Sequence, residues 1–275
     1  MKDNEKGTGK KEKPVTNKDI KLVEEGFFTV IAGPCAIESW GQLDATARVV
    51  KECGLAFMRG GAYKPRTSPY SFQGLEHKGL EYLKEIGQKY NLKTVTEVTD
   101  AETVDEIAKY TDVLQIGTRN MSNFALLKKV GKVAYEKNKK VILKRGWAST
   151  IREWLLAAEY ITSRGNSEIV LCERGIRTFE TYTRFTLDLS AVPVIKKLSK
   201  LPIIIDPSHA TGQSDLVIPM SRAAVAVGAD GLIVEVHNNP SKALSDGQQS
   251  LDPKQASEML NQVSEIAKIF GKKIR

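Results

Sequence analysis

Residues 27–61 read FFTVIAGPCAIESWGQLDATARVVKECGLAFMRGG. An apolar run with Val and Ile opens the stretch, an amphipathic segment follows from Ser39 to a stop at Gly54, and a second apolar run starts at Leu55. Short apolar runs without alternation suit strands buried on both faces, and an amphipathic helix between them is the crossover that parallel strands require. The unit recurs along the chain. Further strands are predicted at KTVTEV from 93, VLQIGT from 113, KVILKRG from 140, EIVLCERG from 168, LPIIIDPS from 201 and DGLIVEVH from 230, which makes eight. Helical patterns lie between them, among others HKGLEYLKEIGQKY from 77, NFALLKKVGKVAYEKN from 123 and STIREWLLAAEYITSRG from 149, with a last helix from Pro253 to about Phe270. Ser39, Asn123 and Ser149 are the expected N-caps, and Gly54 and Gly165 the expected stops. Eight strand–helix units predict an α/β protein of the (β/α)8 TIM barrel type rather than an open sheet, which usually has fewer strands.

The composition agrees with that reading. The 275 residues carry 41 Lys and Arg against 33 Asp and Glu, for a formal charge of +8, with 41% hydrophobic and 27% charged residues. This excludes a wholly disordered or collagen-like chain and leaves the positive excess to a polyanion or to a site built for anionic metabolites. Residues 1–18 contain six Lys, three acids and almost nothing apolar, so they are expected to be a disordered, mobile basic tail, with 19–275 as a single catalytic barrel domain. Gly7-Thr8-Gly9-Lys10 has neither the spacing nor the preceding strand of a phosphate loop. No aromatic residue precedes Phe27 to stack on a base, so no nucleic acid partner is expected. Cys35, Cys53 and Cys172 are odd in number and widely spaced, which fits neither a disulfide framework nor a zinc ribbon. Neither a secretory signal nor an apolar run of about 18 residues is present, so no membrane partner is expected and the expected location is cytoplasmic.

In a barrel of this type chemistry sits at the carboxyl ends of the strands. The first apolar run ends at Gly33-Pro34-Cys35 and the second at Arg59, followed by Lys64-Pro65-Arg66-Thr67-Ser68. The fourth ends at Arg119, the fifth at Lys144-Arg145 and the sixth at Glu173-Arg174. The seventh ends at Asp206-Pro207-Ser208-His209, and the eighth at Glu235-Val236-His237, with Asp246 in the loop beyond. Taken singly, each base could pair with a neighbouring acid. Together, Arg59, Lys64, Arg66, Arg119, Lys144 and Arg174 outnumber Glu97, Glu173 and Asp206, and unpaired buried cations are costly, so a ligand with more than one anionic group is expected. Closure of the barrel sets the eighth strand beside the first. That brings Cys35, His209, Glu235 and Asp246 together as a mixed sulfur, nitrogen and oxygen site for a divalent first-row ion. Each of the four also has an ordinary structural reading: a small core thiol, a bonded imidazole, half an ion pair and a turn residue. His77, at a helix start remote from the strand ends, is read as structural.

The blocks IAGPCAIES at 31, MRGGAYKPRTSPYSFQG at 58, LQIGTRN at 114, ILKRG at 142, LCERGIR at 171 and IIDPSHATG at 204 closely resemble 3-deoxy-D-arabino-heptulosonate 7-phosphate (DAHP) synthase of the type Iβ group. The resemblance runs from about residue 20 to the end. It implies a transferase of the shikimate pathway that condenses phosphoenolpyruvate with erythrose 4-phosphate. By position it implies a divalent metal, Mn²⁺ foremost with Fe²⁺, Zn²⁺, Co²⁺ or Cd²⁺ also accepted, on Cys35, His209, Glu235 and Asp246. It implies phosphoenolpyruvate on Arg59, Lys64, Arg119, Lys144 and Arg174, and the phosphate of erythrose 4-phosphate on Arg66, Thr67 and Ser68. Lys64 is then the catalytic acid beside Cys35 and His209, and Asp206 orients His209 from behind. A homodimer or homotetramer is implied as well.

Three rivals follow from the same residues. 3-Deoxy-D-manno-octulosonate 8-phosphate synthase shares the barrel and the GPC block, but it carries Lys-Ala-Asn-Arg-Ser where this chain has Lys64-Pro65-Arg66-Thr67-Ser68. A Schiff-base aldolase would use Lys144 as nucleophile. A polyanion-binding barrel without activity would use the positive charge alone. No regulatory domain is expected before or after the barrel, so insensitivity to phenylalanine, tyrosine and prephenate is expected unless a separate regulatory subunit supplies control. Cys53 and Cys172 are expected to lie too far from Cys35 to trap it, so a bound metal is expected to shield Cys35 from peroxide.

Overall fold

In the computed structural model, which describes residues 20–65, 68, 70–165 and 168–275, the eight apolar runs become eight parallel strands. They are β1 (Phe27–Gly33), β2 (Phe57–Arg59), β3 (Lys93–Val98), β4 (Val113–Ile116), β5 (Lys140–Lys144), β6 (Ile169–Glu173), β7 (Ile203–Ile205) and β8 (Gly231–Glu235). Each strand pairs with the next in sequence, and β8 returns to β1 in the register Thr29↔Gly231 through Gly33↔Glu235, so the sheet closes. Gly33 lets β1 approach β2 closely at their carboxyl ends. Its φ is +151°, and a Cβ there would lie 2.1 Å from the Arg59 carbonyl oxygen on β2. The expected (β/α)8 TIM barrel is therefore what the chain forms, with most strands shorter than their apolar runs. The expected tail at 1–18, Arg66 and Thr67 lie outside the described residues.

The helices are α1 (Trp40–Glu52), α2 (Glu76–Tyr90), α3 (Val104–Ile107), α4 (Phe124–Glu136), α5 (Ile151–Thr162), α6 (Ala191–Leu198), α7 (Pro207–Thr211), α8 (Ser214–Ala226) and α9 (Pro253–Ile269). Ser39 and Asn123 cap α1 and α4, each accepting a backbone N–H from the first turn. Ser149 does not cap α5. Thr150 does, because Glu153 stands three residues beyond it: the Thr150 hydroxyl accepts from the Glu153 N–H while the Glu153 carboxylate accepts from the Thr150 N–H. Gly54 and Gly165 follow α1 and α5 with positive φ, as the stops require. A two-residue strand β9 (Lys273–Ile274) pairs with Phe27 and Phe28 at the start of β1. Among the described residues no helix is long and apolar enough to cross a membrane.

The barrel interior decides where the chemistry sits. Ile31, Phe57, Val95, Val113, Ile142, Val170, Cys172, Ile204 and Ile233 pack together inside it, with every strand contributing. Side chains two apart on a strand share a face. The next inward position toward the carboxyl end is Gly33, Arg59, Glu97, Gln115, Lys144, Arg174, Asp206 or Glu235. An apolar plug thus carries an almost wholly polar tier. Outside the sheet a second core, including Phe28, Leu80, Leu83 and Trp154, seals the helices against the strands.

Candidate active site

Four elements bring the site together. Cys35 follows β1, His209 lies in α7, Glu235 ends β8, and Asp246 occupies the loop beyond with a left-handed φ of +53°, which Asp tolerates better than most residues. One donor atom from each of the four lies within 4.8 Å of all the others. Cys35 Sγ is 3.0 Å from Asp246 Oδ2 and 3.0 Å from Lys64 Nζ, with Ser245 Oγ at 3.2 Å. Asp206 caps α7 by accepting the His209 N–H, and its Oδ2 lies 2.8 Å from His209 Nδ1. That bond holds the proton on Nδ1 and leaves the Nε2 lone pair free. Nε2 faces Glu235 Oε1 at 3.2 Å. Oε1 is buried and has no hydrogen bond among the described residues, while Oε2 accepts from Gln249 Nε2 at 2.7 Å.

The site's electrostatics favour a cation. Burial pushes the Asp206 and Glu235 carboxyls up, but His209 with Lys144 in the first case, and His209 with Arg59 in the second, hold both below the usual carboxylate range. Burial likewise raises Asp246, yet the Cys35 thiol, His209 and Arg184 bring it down to about 2. The Cys35 thiol is pushed up to about 12, by burial first and then by Glu235. Burial also lowers His209, against the pull of Asp206 and Glu235. Two carboxylates, a neutral imidazole and a thiol that keeps its proton only for want of a stronger positive partner are a donor set that a first-row divalent ion fits.

Above this cluster opens a pocket whose lining includes Lys64, Glu97, Arg119, Lys144, Arg174 and Arg184. Gly117 makes room for the Glu97 carboxylate, because a Cβ there would stand 1.9 Å from Oε1. Two of the expected free cations are not free. Lys144 donates to Asp206 Oδ2 at 2.5 Å, and Arg59 Nη1 lies 3.2 Å from Glu235 Oε1. The acids that hold them were counted as too few because Glu235 was assigned to the metal alone. Lys144 is thus engaged in a buried ion pair with Asp206, which argues against a Schiff-base nucleophile there. Lys64, Arg119 and Arg174 form no salt bridge to a described carboxylate, and Arg174 Nη1 is buried without a hydrogen bond. Burial, and then Arg184, disfavours the charged form of Arg174 against the pull of Asp206.

Several site residues were not visible in the sequence. Trp147 and Phe185 lie parallel, with ring centroids 6.3 Å apart. Arg119 sits over Trp147 at 5.4 Å and Arg174 over Phe185 at 4.2 Å, so an aromatic slab fixes two guanidiniums. Arg184, Ser245 and Gln249 reach the cluster from loops that lack any apolar period. Ser68 is exposed, and its hydroxyl accepts from Tyr70 N at 3.4 Å. Arg145 turns away to Glu173 and Asp188. His77 is exposed, bonded to Glu106 and edge-on to Tyr110. All three cysteines are free, with Cys172 packed in the barrel interior.

A closed parallel barrel whose carboxyl mouth gathers four metal-type donors under a basic pocket defines the class: a (β/α)8 enzyme. The family model described as the DAHP synthetase I family matches residues 12–271. The chain belongs to that family. It is 56% identical over 256 residues to the phospho-2-dehydro-3-deoxyheptonate aldolase of Thermotoga maritima, covering 93% of this chain and 74% of the relative. The crystal structure of that DAHP synthase superposes with a TM-score of 0.88 at 55% identity, over 92% of this chain and 73% of the other. A 2-dehydro-3-deoxyphosphooctonate aldolase of Francisella tularensis is more distant, at 31% identity over 87% of this chain and 91% of its own length.

Proposed function

We propose that the chain condenses phosphoenolpyruvate with erythrose 4-phosphate and water to give DAHP and inorganic phosphate, the entry reaction of the shikimate pathway, at the pocket described above. The observation that carries the site assignment is the set of four donors from Cys35, His209, Glu235 and Asp246, within 4.8 Å of one another beneath Lys64, Arg119 and Arg174. When bound there, a divalent metal supplies Lewis-acid polarisation of the aldehyde oxygen. Arg119 and Arg174, fixed on their aromatic slab, with Lys144 and Arg59 behind them, hold the carboxylate and phosphate of phosphoenolpyruvate. Arg66, Thr67 and Ser68 receive the phosphate of erythrose 4-phosphate. C3 of phosphoenolpyruvate attacks the aldehyde carbon, and Lys64 gives its proton to the forming alkoxide. Water adds to the cationic C2 and releases a proton that replaces the one Lys64 gave; the hemiketal hydroxyl then passes its proton to the departing phosphate as the C2–O bond to it breaks, leaving the C2 ketone and inorganic phosphate. Asp206 keeps the His209 proton on Nδ1 throughout.

The test is phosphate release from both substrates by chelator-treated protein, with and without Mn²⁺. Release that needs both substrates and the metal supports the proposal; release with arabinose 5-phosphate but not erythrose 4-phosphate would replace it with the octulosonate reaction. The choice among Mn²⁺, Fe²⁺, Zn²⁺, Co²⁺ and Cd²⁺, and between homodimer and homotetramer, belongs to the same proposal and is read by metal analysis and light scattering.

Two further outcomes are expected. Trp147→Leu removes the ring under Arg119 and one face of the slab, so the KM for phosphoenolpyruvate should rise roughly 5- to 30-fold, the equivalent of about 1–2 kcal/mol of cation–π contact, with kcat much less affected. Steady-state kinetics would settle it, and an unchanged KM would show the slab to be idle. Metal binding should strengthen with pH by about tenfold per unit between pH 6 and 8. Cys35, with its thiol near 12, is protonated across that window, so each ion bound displaces one proton. Calorimetry in buffers of different ionisation enthalpy would count that proton.

A further inference from the structure

We infer that Gln249 and Arg184 are a pair of positioning residues: Gln249, held by Arg184, aims Glu235 into the metal cluster, and Arg184 aims Asp246. The inference rests on the reading of Cys35, His209, Glu235 and Asp246 as the metal site, and it assigns a task to two residues outside that set.

Gln249 is fully buried and ends the 3₁₀ turn Gly247–Gln249 directly after Asp246. Its Nε2 donates to Glu235 Oε2 at 2.7 Å, and its Oε1 accepts from Arg184 Nη1 at 3.0 Å. An amide has one donating and one accepting end. With a carboxylate on one side and a guanidinium on the other, only one orientation satisfies both, because the flipped amide would set oxygen against carboxylate and N–H against N–H. The amide therefore has a single stable pose. Arg184 Nη1 also reaches Asp246 Oδ1 at 3.4 Å.

The two carboxylates are consequently treated alike. In each, one oxygen is engaged by this pair and the other is turned inward. Glu235 presents Oε1 to His209 Nε2, and Asp246 presents Oδ2 to Cys35 Sγ at 3.0 Å. Arg184 is itself tied to the helix that carries His209. Its backbone N–H donates to the Thr211 carbonyl and that of Phe185 to the Ala210 carbonyl. Adjacent residues on one strand of chain thus serve the metal ligands through Arg184 and the Arg174 guanidinium through Phe185.

The test uses the full chain, stripped of metal and titrated with Co²⁺, whose thiolate charge-transfer band reports ligation by Cys35. Gln249→Met keeps the side-chain length and removes both hydrogen bonds, and it should weaken Co²⁺ binding by about 10- to 100-fold with an altered band, the usual effect of losing a group that orients a metal ligand. Arg184→Met, at a side chain 39% exposed, should weaken it by about two- to fivefold and leave the melting temperature of the metal-free protein unchanged. The double variant should lose less affinity than the two single losses multiplied, since both act on Glu235 through one chain of contacts. Should Gln249→Met fail to fold, Arg184→Met decides. Wild-type affinity and an unaltered band in the variants that fold would overturn the inference. A wild-type chain with no thiolate band would instead remove the metal-site reading beneath it.

Discussion

Lys64→Ala is expected to lower kcat by about 10²- to 10⁴-fold, the range over which a positioned proton donor contributes, while metal affinity changes little. Lys64 Nζ lies 3.0 Å from Cys35 Sγ and 3.2 Å from the Cys35 carbonyl, at the junction of the donor cluster and the basic pocket. Burial alone would lower its pKa, but Cys35 and Glu235 more than offset that and raise it, so the group waits as an ammonium with a proton to give. Its hydrogen bonds run to the Cys35 carbonyl and thiol, and it forms no salt bridge to a described carboxylate, so no ion pair ties up the proton. Lys64→Arg keeps the charge but spreads it over a planar group that releases its proton far less readily, so it should not rescue turnover. Single-turnover measurement at saturating substrates isolates the step. Turnover near that of the parent chain would transfer the role of acid to another group.

Cys35→Ala should be as damaging by a different route. Removing a ligand outright should cost more than the roughly 100-fold in affinity lost when an orienting group is removed, so the variant should retain no Mn²⁺ through dialysis and show no phosphate release. The thiol is small and buried, and the metal-free protein should lose only about 1 kcal/mol of stability. In the parent chain, chelation should abolish activity and Mn²⁺ should restore it. A variant that keeps both metal and turnover would place the ion elsewhere.

The barrel was legible because its strands are buried on both faces and most of them announce themselves as apolar runs, as Ile203-Ile204-Ile205 does over the full length of β7. Strand ends were less so. LAFMRGG forms only Phe57–Arg59 in β2, and the glycines that follow keep single contacts, Gly60 to Val95 and Gly61 to Ala36, as the chain runs on to Lys64. The cap on α5 was misplaced by one residue because Ser149 and Thr150 offer the same chemistry and only the partner at Glu153 separates them. Cys35, His209 and Glu235 could be named because each stands at or just beyond a strand end, Asp246 because it lies in the loop after β8, and all four together because closure of the sheet is a topological fact. Gln249, Arg184 and the Trp147–Phe185 slab could not, since loops carry no period to fix direction, and an ordinary Gln or Phe signals nothing until its neighbours are known. The expected shortage of acids failed for a related reason: Glu235 faces Arg59 and His209 at once, and a sequence assigns one partner at a time.

The plug and the polar tier stand two residues apart on the same strands: Phe57 beneath Arg59, Ile142 beneath Lys144, Ile204 beneath Asp206, Ile233 beneath Glu235. Support and chemistry are therefore written in separate letters of one word. Evolution can respell the upper letter, changing what the mouth binds, without touching the one that keeps the barrel shut, and a loss at the lower letter will reach the reaction only by way of the melting point.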